Sequence, residues 1–422
     1  MVDIRESIRA WIQENRQEGI KLLKRFVQEA STQGNEKHAQ AIVVEKLRQI
    51  GLKIDIWEPT MRELRKQEAF VTTRESFEDS PNVVGVLKGR GGGRSLILNG
   101  HIDVVPEGDL AQWSEAPYSA VVRDGKLYGR GATDMKGGNV ALLLAIQAIQ
   151  ELNISLKGDV IFQSVIEEES GGAGTLACIV RGYKADGAII PEPTNMKIFP
   201  KQQGSMWFRL TINGRSAHGG TRYEGVSAIE KAMNVVTHVL DLEKKRNERI
   251  NDPLYQHIPI PIPINLGSIK GGSWPSSVPD EVIIEGRMGV APGEQMSHAK
   301  QELQTWIGTL KEKDQWFEQY PVQVEWFGAH WLPSELDVEH ELVQTLTKSF
   351  QEVKKNDPVI EASPWGTDGG MLTNIGHIPT IVFGPGVTEM AHFPNEYIEL
   401  NTLFEAAEII ALMMLDWCGV SE

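Results

Sequence analysis

The chain has 422 residues, of which 41 % are hydrophobic and 23 % charged, the balance of a globular protein of two or three domains able to bury a sizeable core. Its 42 Lys and Arg stand against 57 Asp and Glu, and the resulting net charge of −15 repels phosphate backbones and anionic lipid, making nucleic acid and membranes poor partners. Two cysteines, Cys178 and Cys418, exclude a disulfide scaffold and a Cys-rich zinc module.

The opening residues are charged and mixed, without a signal peptide's apolar core. The longest apolar runs, Val140–Ile146 and Ile409–Leu415, fall far short of the ~20 residues a bilayer demands, so a cytoplasmic protein is expected. From Ile4 to Leu52 the spacing of apolar residues predicts two amphipathic helices, broken near Ser31–Asn35. After a polar connector come strands over Asn82–Leu87 and Ser95–Asn99. The glycine-rich turn Gly89–Arg94 between them lacks the Gly-Lys-Ser/Thr ending of a phosphate loop. A helix over Gly137–Leu152 follows, then a strand over Asp159–Ile166, a helix over about Gly174–Gly182 and a strand over Gly187–Ile190. Near the end a strand, Ile378–Phe383, precedes a helix over Thr402–Trp417 with Asn401 as its expected cap. This alternation predicts an α/β fold, a mainly parallel sheet sandwiched by helices.

The middle reads differently. Met206–Asn213 and Glu281–Met288 have the alternation of strands with one buried face, and Gly225–Lys244 and Gln295–Lys313 read as helices. Two such strand–helix units predict an inserted α+β domain, with the Pro-rich run Ile258–Ile264 as an extended connector inside it. The expected division is a catalytic domain over 1–204 and 329–422, and an inserted lid and dimerisation domain over 205–328.

Polar motifs collect at the ends of the predicted strands. Gly100-His101-Ile102-Asp103 follows one, Glu167-Glu168-Glu169 a second, Pro191-Glu192-Pro193 a third, and Gly384-Pro385-Gly386 a fourth, with His392 a few residues on. The C-terminal end of strands is where open α/β sheets bind ligands. Asp134 lies on the loop entering the Gly137 helix. Alone, His-x-Asp is a weak signal, a glutamate run is commonly a solvated helix face, and Pro-Glu-Pro is a rigid turn. Yet Glu167–Glu169 follows an apolar strand and precedes Ser170-Gly171-Gly172, a poor setting for a helix face. The coincidence of these motifs on one rim points to a metal site. Imidazole and carboxylate donors without thiolates suit zinc, cobalt or manganese. Two such ions about 3.5–4 Å apart form a hydrolytic pair that needs one bridging carboxylate and another to deprotonate water. Serine-hydrolase elbows and His-Glu-x-x-His are absent from the sequence.

The set resembles the zinc amidohydrolase and exopeptidase family of acetylornithine deacetylase, succinyl-diaminopimelate desuccinylase, aminoacylase and the glutamate carboxypeptidases. The stretches that carry the resemblance are Asn99–Pro106, Gly129–Gly138, Glu167–Thr175, Glu192–Thr194, Gly214–His218, Arg287 with Pro292-Gly293, Gly366–Asp368 and His392–Glu396. It implies that His101 and Glu192 hold one zinc, Glu169 and His392 the other, and Asp134 bridges them, with a cis peptide to Met135. Glu168 would be the general base, Asp103 would orient and polarise His101, and Glu167 would have no catalytic part. The inserted domain would form a homodimer, with His218 reaching the partner's site to stabilise the oxyanion as a di-zinc-bound hydroxide attacks a small-molecule amide.

Two stretches depart from the family pattern. The lid carries Ser276-Ser277-Val278-Pro279 in place of Asn-x-x-Pro, and Gly366-Thr-Asp-Gly-Gly370 lacks an arginine. Arg287 is retained, and two of the 11 tryptophans, Trp274 and Trp365, fall beside these stretches, where an indole can stack on a flat ring. Arg287, Ser277, Trp274, Trp365 and Thr367 are the substrate-binding candidates. The resemblance then favours the branch that removes formate from an N-formyl aminomethyl-pyrimidine in thiamin salvage. An acetylornithine deacetylase or related N-acyl amino acid deacylase comes second, and a metallo-dipeptidase or carboxypeptidase third. A catalytically dead metabolite-binding protein is the alternative of another class, and a full set of ligands plus base speaks against it. The remaining histidines and both cysteines match no ligand motif and read as packing or surface residues.

Overall fold

The computed structural model of the chain describes residues 3–421. They divide into two compact units, one built from the chain up to Lys201 with Glu335–Glu361 and Asp368 onward, the other from Gln202–Ser334 with Ala362–Thr367.

The large sheet of the first unit runs in the order Lys53–Trp57, Asn82–Leu87, Val160–Val165, Leu96–His101, Gly187–Ile190, Thr380–Val382, Ile198–Gln202. Its centre is parallel, from Val160–Val165 through Leu96–His101 and Gly187–Ile190 to Thr380–Val382, while the flanking pairs are antiparallel. Parallel strands buried on both faces need apolar runs, and VIFQSV, LILNGH and GAII are buried throughout. Two helices apolar around nearly their whole circumference, Gly137–Glu151 and Leu400–Cys418, pack side by side, with Ile4–Glu14 against both. The expected α/β architecture is what forms.

Three local readings differ from expectation. The first predicted helix is two, Ile4–Glu14 and Arg16–Gln28, because Asn15 leaves helical geometry and turns both its N–H (3.0 Å) and its side-chain amide (2.8 Å) onto the Trp11 carbonyl. The last helix starts at Leu400 after Glu399 and has no side-chain cap, so Asn401 lies inside it, where its side chain accepts from Arg16. The helix expected over Gln295–Lys313 ends at Gly308 and restarts at Leu310.

The second unit is a four-stranded antiparallel sheet ordered Ile264–Gly271, Glu281–Val290, Gly204–Asn213, Gln323–Trp331. Met206, Phe208, Leu210 and Ile212 alternate inward with Val282, Ile284 and Met288, forming a core under the helices Ala228–Asn247 and Met296–Gly308. Both strands missing from the sequence reading are edges. Each contains a register shift, at Leu266/Ser268 and Phe327/His330, which spoils the alternation that reveals a strand. Among the described residues no helix is long and apolar enough to cross a membrane.

One close approach links a helix to the sheet edge. A Cβ on Gly138 would sit 2.1 Å from the Pro191 carbonyl oxygen, so the helix start meets the loop after Gly187–Ile190 backbone to backbone. Gly138→Ala is expected to cost about 1–3 kcal/mol through overpacking, a fall of roughly 1–3 °C in Tm for a chain of this length by differential scanning calorimetry. An unchanged Tm would show that the two segments separate freely.

Candidate metal centre

The four parallel strands end at one edge, and their last residues and following turns deliver the polar side chains. His101 is the final residue of Leu96–His101, and its carbonyl accepts from Asn139 Nδ2 at 2.6 Å. Gly100 beside it leaves room for that amide, since a Cβ there would lie 2.1 Å from Asn139 Oδ1. Glu168 and Glu169 sit on a short 3₁₀ turn after Val160–Val165, entered through Glu167 in left-handed conformation (φ 64°). Glu192 follows Gly187–Ile190 between two prolines, and His392 stands in the loop beyond Thr380–Val382, also left-handed (φ 65°). Asp134 lies in the turn Ala132–Lys136, where it and Met135 leave helical geometry and the Asp134–Met135 peptide is cis.

These five side chains meet. Asp134 turns Oδ1 to His101 Nε2 (3.1 Å) and Oδ2 to His392 Nε2 (3.3 Å), one carboxylate between two imidazoles. Glu192 Oε1 lies 3.7 Å from His101 Nε2, and Glu169 Oε2 lies 3.1 Å from His392 Nε2. Ligand atoms of His101, Asp134 and Glu169 fall within 4.8 Å of one another, as do those of His101, Glu168 and Glu192. Donors about 2.0–2.2 Å from a tetrahedral ion are roughly 3.3–3.6 Å apart, so the spacing and the all-nitrogen-and-oxygen donor set fit divalent metal ions of the zinc type.

Electrostatics agree with that fit. Burial pushes Glu192 up to about 7, and burial with the facing Glu192 charge puts Glu168 well above the usual carboxylate range. Burial opposes charging of His101, but Glu192 and Asp134 outweigh it and raise the ring well above its ordinary value. The Glu169 charge, with Asp134, lifts His392 to about 11. Burial works against ionised Asp134 too, yet hydrogen bonds from the two imidazoles hold it far below the usual carboxylate range. A cation among these carboxylates relieves the repulsion that burial magnifies.

Asp103 differs from expectation in the atom it uses. Its carboxylate is 3.7 Å from His101 Nδ1, too far for a hydrogen bond, and the ring is oriented by the Asp103 main-chain carbonyl at 2.9 Å. The carboxylate instead accepts the N–H groups of Glu168 (3.3 Å) and Glu169 (3.1 Å), fixing their turn. Glu396 ends the stretch His392–Glu396, and the resemblance assigns it no role. It is fully buried and accepts from Arg130 Nη1 (2.7 Å) and from the N–H groups of Gly131, Thr133 and Asp134 (3.0, 2.9 and 3.1 Å), tying the Asp134 turn to the segment that carries His392. Lys136, wholly buried and lowered to about 7 by burial, donates to the Glu29 carbonyl (2.8 Å).

The other candidates lie in the second unit. His218 is exposed and its Nδ1 accepts the Gly220 N–H at 3.0 Å, which leaves Nε2 as the protonated, donating nitrogen of the neutral ring. Ser277 pairs with His218 in a short β-bridge, and Trp274, three residues earlier, is 68 % exposed. Arg287 projects from Glu281–Val290 on the face opposite the helices, beside Trp207 and Asn265 in register. Burial brings it down to about 10, still charged at neutrality, and it forms no ion pair among the described residues. Trp365 is half-buried, whereas Thr367 is buried with its hydroxyl donated to Gln202 Oε1 (2.6 Å). The remaining residues follow the bland reading: His238 stacks on Trp306 with centroids 4.8 Å apart, His340 caps Glu341–Lys354, and both cysteines are buried.

Fold and family together define a metal-dependent hydrolase of amide bonds. Residues 97–416 match Peptidase family M20/M25/M40, and the chain belongs to that family. It is 32 % identical to N-formyl-4-amino-5-aminomethyl-2-methylpyrimidine deformylase of Bacillus subtilis, across 98 % of this chain and 97 % of that protein. It is 28 % identical to acetylornithine deacetylase of Pectobacterium carotovorum, across 78 % of this chain and 82 % of that one. Among solved structures, a tripeptidase from Staphylococcus aureus superposes with a TM-score of 0.73 at 22 % identity, covering 96 % of this chain and 99 % of that chain.

Ligation requires neutral imidazoles and ionised carboxylates, whereas the facing carboxylates favour the protonated rings of His101 and His392, and burial favours the protonated form of Glu192. Metal binding should therefore release protons and tighten as pH rises from 6 to 8. Calorimetric titration of zinc in buffers of different ionisation enthalpy measures the release, and a pH-independent affinity would be evidence against these donors.

Proposed function

We propose that the protein removes the formyl group from N-formyl-4-amino-5-aminomethyl-2-methylpyrimidine, a step of thiamin salvage in the cytoplasm. The observation that carries this reading is similarity to a deformylase along nearly the whole of both chains, together with the buried donor cluster. In the proposed site His101 and Glu192 would hold one zinc ion and Glu169 and His392 a second, with the Asp134 carboxylate available to both. When bound, such ions supply Lewis acidity toward the amide carbonyl and make water easier to deprotonate. Glu168 takes the proton from the attacking water and delivers it to the leaving amine nitrogen. Formate and the aminomethyl-pyrimidine are the products. Asp103 orients His101 through its carbonyl and the base through its carboxylate. The Nε2–H of His218 donates to the developing oxyanion. Trp274 and Trp365 offer flat faces to the pyrimidine, and Ser277 and Thr367 belong to the loops around it. A deacylase of N-acyl amino acids is the second reading, favoured by Arg287, a charged guanidinium without an ion-pair partner among the described residues that a substrate carboxylate could engage.

Turnover on the formyl-pyrimidine and on N-acetyl-L-ornithine, side by side with zinc-loaded protein, tests the substrate. Preference for the former is expected, and preference for the latter overturns it in favour of the second reading. Glu168→Gln should lose at least about three orders of magnitude on either substrate while keeping its metal. Retained activity would remove Glu168 as the base.

The inserted domain is proposed as the dimer interface. Helix Ala228–Asn247 buries Ala232, Val235 and Val239 inward, but Ile229, Met233 and Leu240 form a second apolar stripe that is 46 %, 66 % and 46 % exposed. The adjacent edge strand adds Ile269, 60 % exposed, and an unpaired backbone edge. Met233→Glu should turn a dimer into a monomer by sedimentation. Mixing His218→Ala with Glu168→Gln protein should restore part of the activity if His218 acts on the partner. A monomeric wild type, or mixing without rescue, would count against the shared site.

A further inference from the structure

The turn bearing Glu168 and Glu169 is held from a part of the chain that precedes the family match, which begins at residue 97. Glu167, 1 % exposed, accepts from Arg74 Nη1 on Oε1 (3.1 Å) and, on Oε2, from Gln33 Nε2 (3.2 Å), Thr72 Oγ1 (3.2 Å) and Ser170 Oγ (3.1 Å). The guanidinium of Arg74 continues to a second carboxylate, Glu36, which is wholly buried. Nη1 lies 3.4 Å from Glu36 Oε1, and Nη2 donates to Ser80 Oγ (2.8 Å), which donates to Glu36 Oε2 (2.6 Å). Thr72 Oγ1 also accepts the Arg74 N–H at 3.1 Å, and the guanidinium sits 5.1 Å from the centre of the Phe77 ring. One cation is thus shared between two buried carboxylates, and one of them occupies the left-handed residue that starts the turn.

A left-handed glutamate is sparsely populated and persists only where its surroundings impose it. Here the imposing group is the Arg74 clamp on one side of the turn and the Asp103 carboxylate on the other. We propose that Arg74 is a positioning residue of the hydrolytic site: acting through Glu167, it sets the turn from which Glu168 and Glu169 reach the centre. This rests on the roles proposed above for Glu168 and Glu169. Loss of the guanidinium would leave two buried charges uncompensated next to those two residues, and the turn would rearrange to bring Glu167 to water.

The test compares zinc-loaded wild type, Arg74→Met and Arg74→Lys. For Arg74→Met a fall in kcat of about 10–100-fold is expected, with KM within about threefold and zinc lost to a chelator about tenfold faster. Arg74→Lys should recover part of both losses, because an ammonium can still meet one carboxylate. Adding Glu167→Gln to Arg74→Met should cost little more, since both remove the same tie, whereas additive losses would place the effect elsewhere and overturn the proposal. If Arg74→Met does not fold, Arg74→Lys decides alone: slower turnover and faster zinc loss at near wild-type Tm support the clamp. Wild-type kcat and zinc retention in folded Arg74→Met, or in Arg74→Lys where it decides alone, overturn it even with a lowered Tm. Should wild type cleave neither amide, the substrate reading fails, and the zinc-release comparison still decides the role of Arg74.

Discussion

Buried negative charge is the constraint from which the first unit takes its shape. Asp103, Glu168 and Glu192 all have carboxyl groups pushed upward by burial, and only Asp134, between two imidazoles, is held low. Desolvating several carboxylates in one place costs several kcal/mol for each unless positive charge or donors accompany them. The fold meets this cost in layers. The imidazoles of His101 and His392 face the central carboxylates, and backbone N–H groups face Asp103 and Glu396. Arg130 is spent on Glu396, and Arg74 on Glu36 and Glu167. These outer cations fix the loops without filling the centre, which is where the donor spacing fits metal.

The same layering explains what the sequence could show. Strand ends were legible because apolar runs such as Val160–Val165 and Gly187–Ile190 are buried on both faces and stop abruptly at polar residues. In a parallel sheet those stops share one edge, so His101, Glu168, Glu169, Glu192 and His392 could be placed together before any distance was known. Arg74 and Glu36 could not be placed in this way. They sit in a polar connector and at a helix start, carry no periodic signal, and meet Glu167 only through tertiary packing. Asp103 was legible as a neighbour of His101, but which of its oxygens faces the ring depends on how the chain turns after the strand. The edge strands of the second unit escaped because their register shifts erase the period-two pattern.

Substrate choice is set by a different balance. Arg287 is the side chain whose ordinary chemistry would read a carboxylate, and burial leaves it charged at neutral pH. A guanidinium is also flat and weakly hydrated, so it can lie against an aromatic ring as readily as it can fork onto a carboxylate. Arg287 alone therefore does not separate a heteroaromatic amide from an N-acyl amino acid. The deformylase relative aligns with 98 % of the chain, so its similarity extends over the stretch before residue 97 that supplies Gln33, Glu36, Thr72 and Arg74. A site that spends Gln33, Glu36, Thr72 and Arg74 on holding one turn is built for a fixed geometry at the reacting bond. A formyl group, which has no side chain to anchor its acyl end, leaves an enzyme little besides such preorganisation with which to orient the carbonyl.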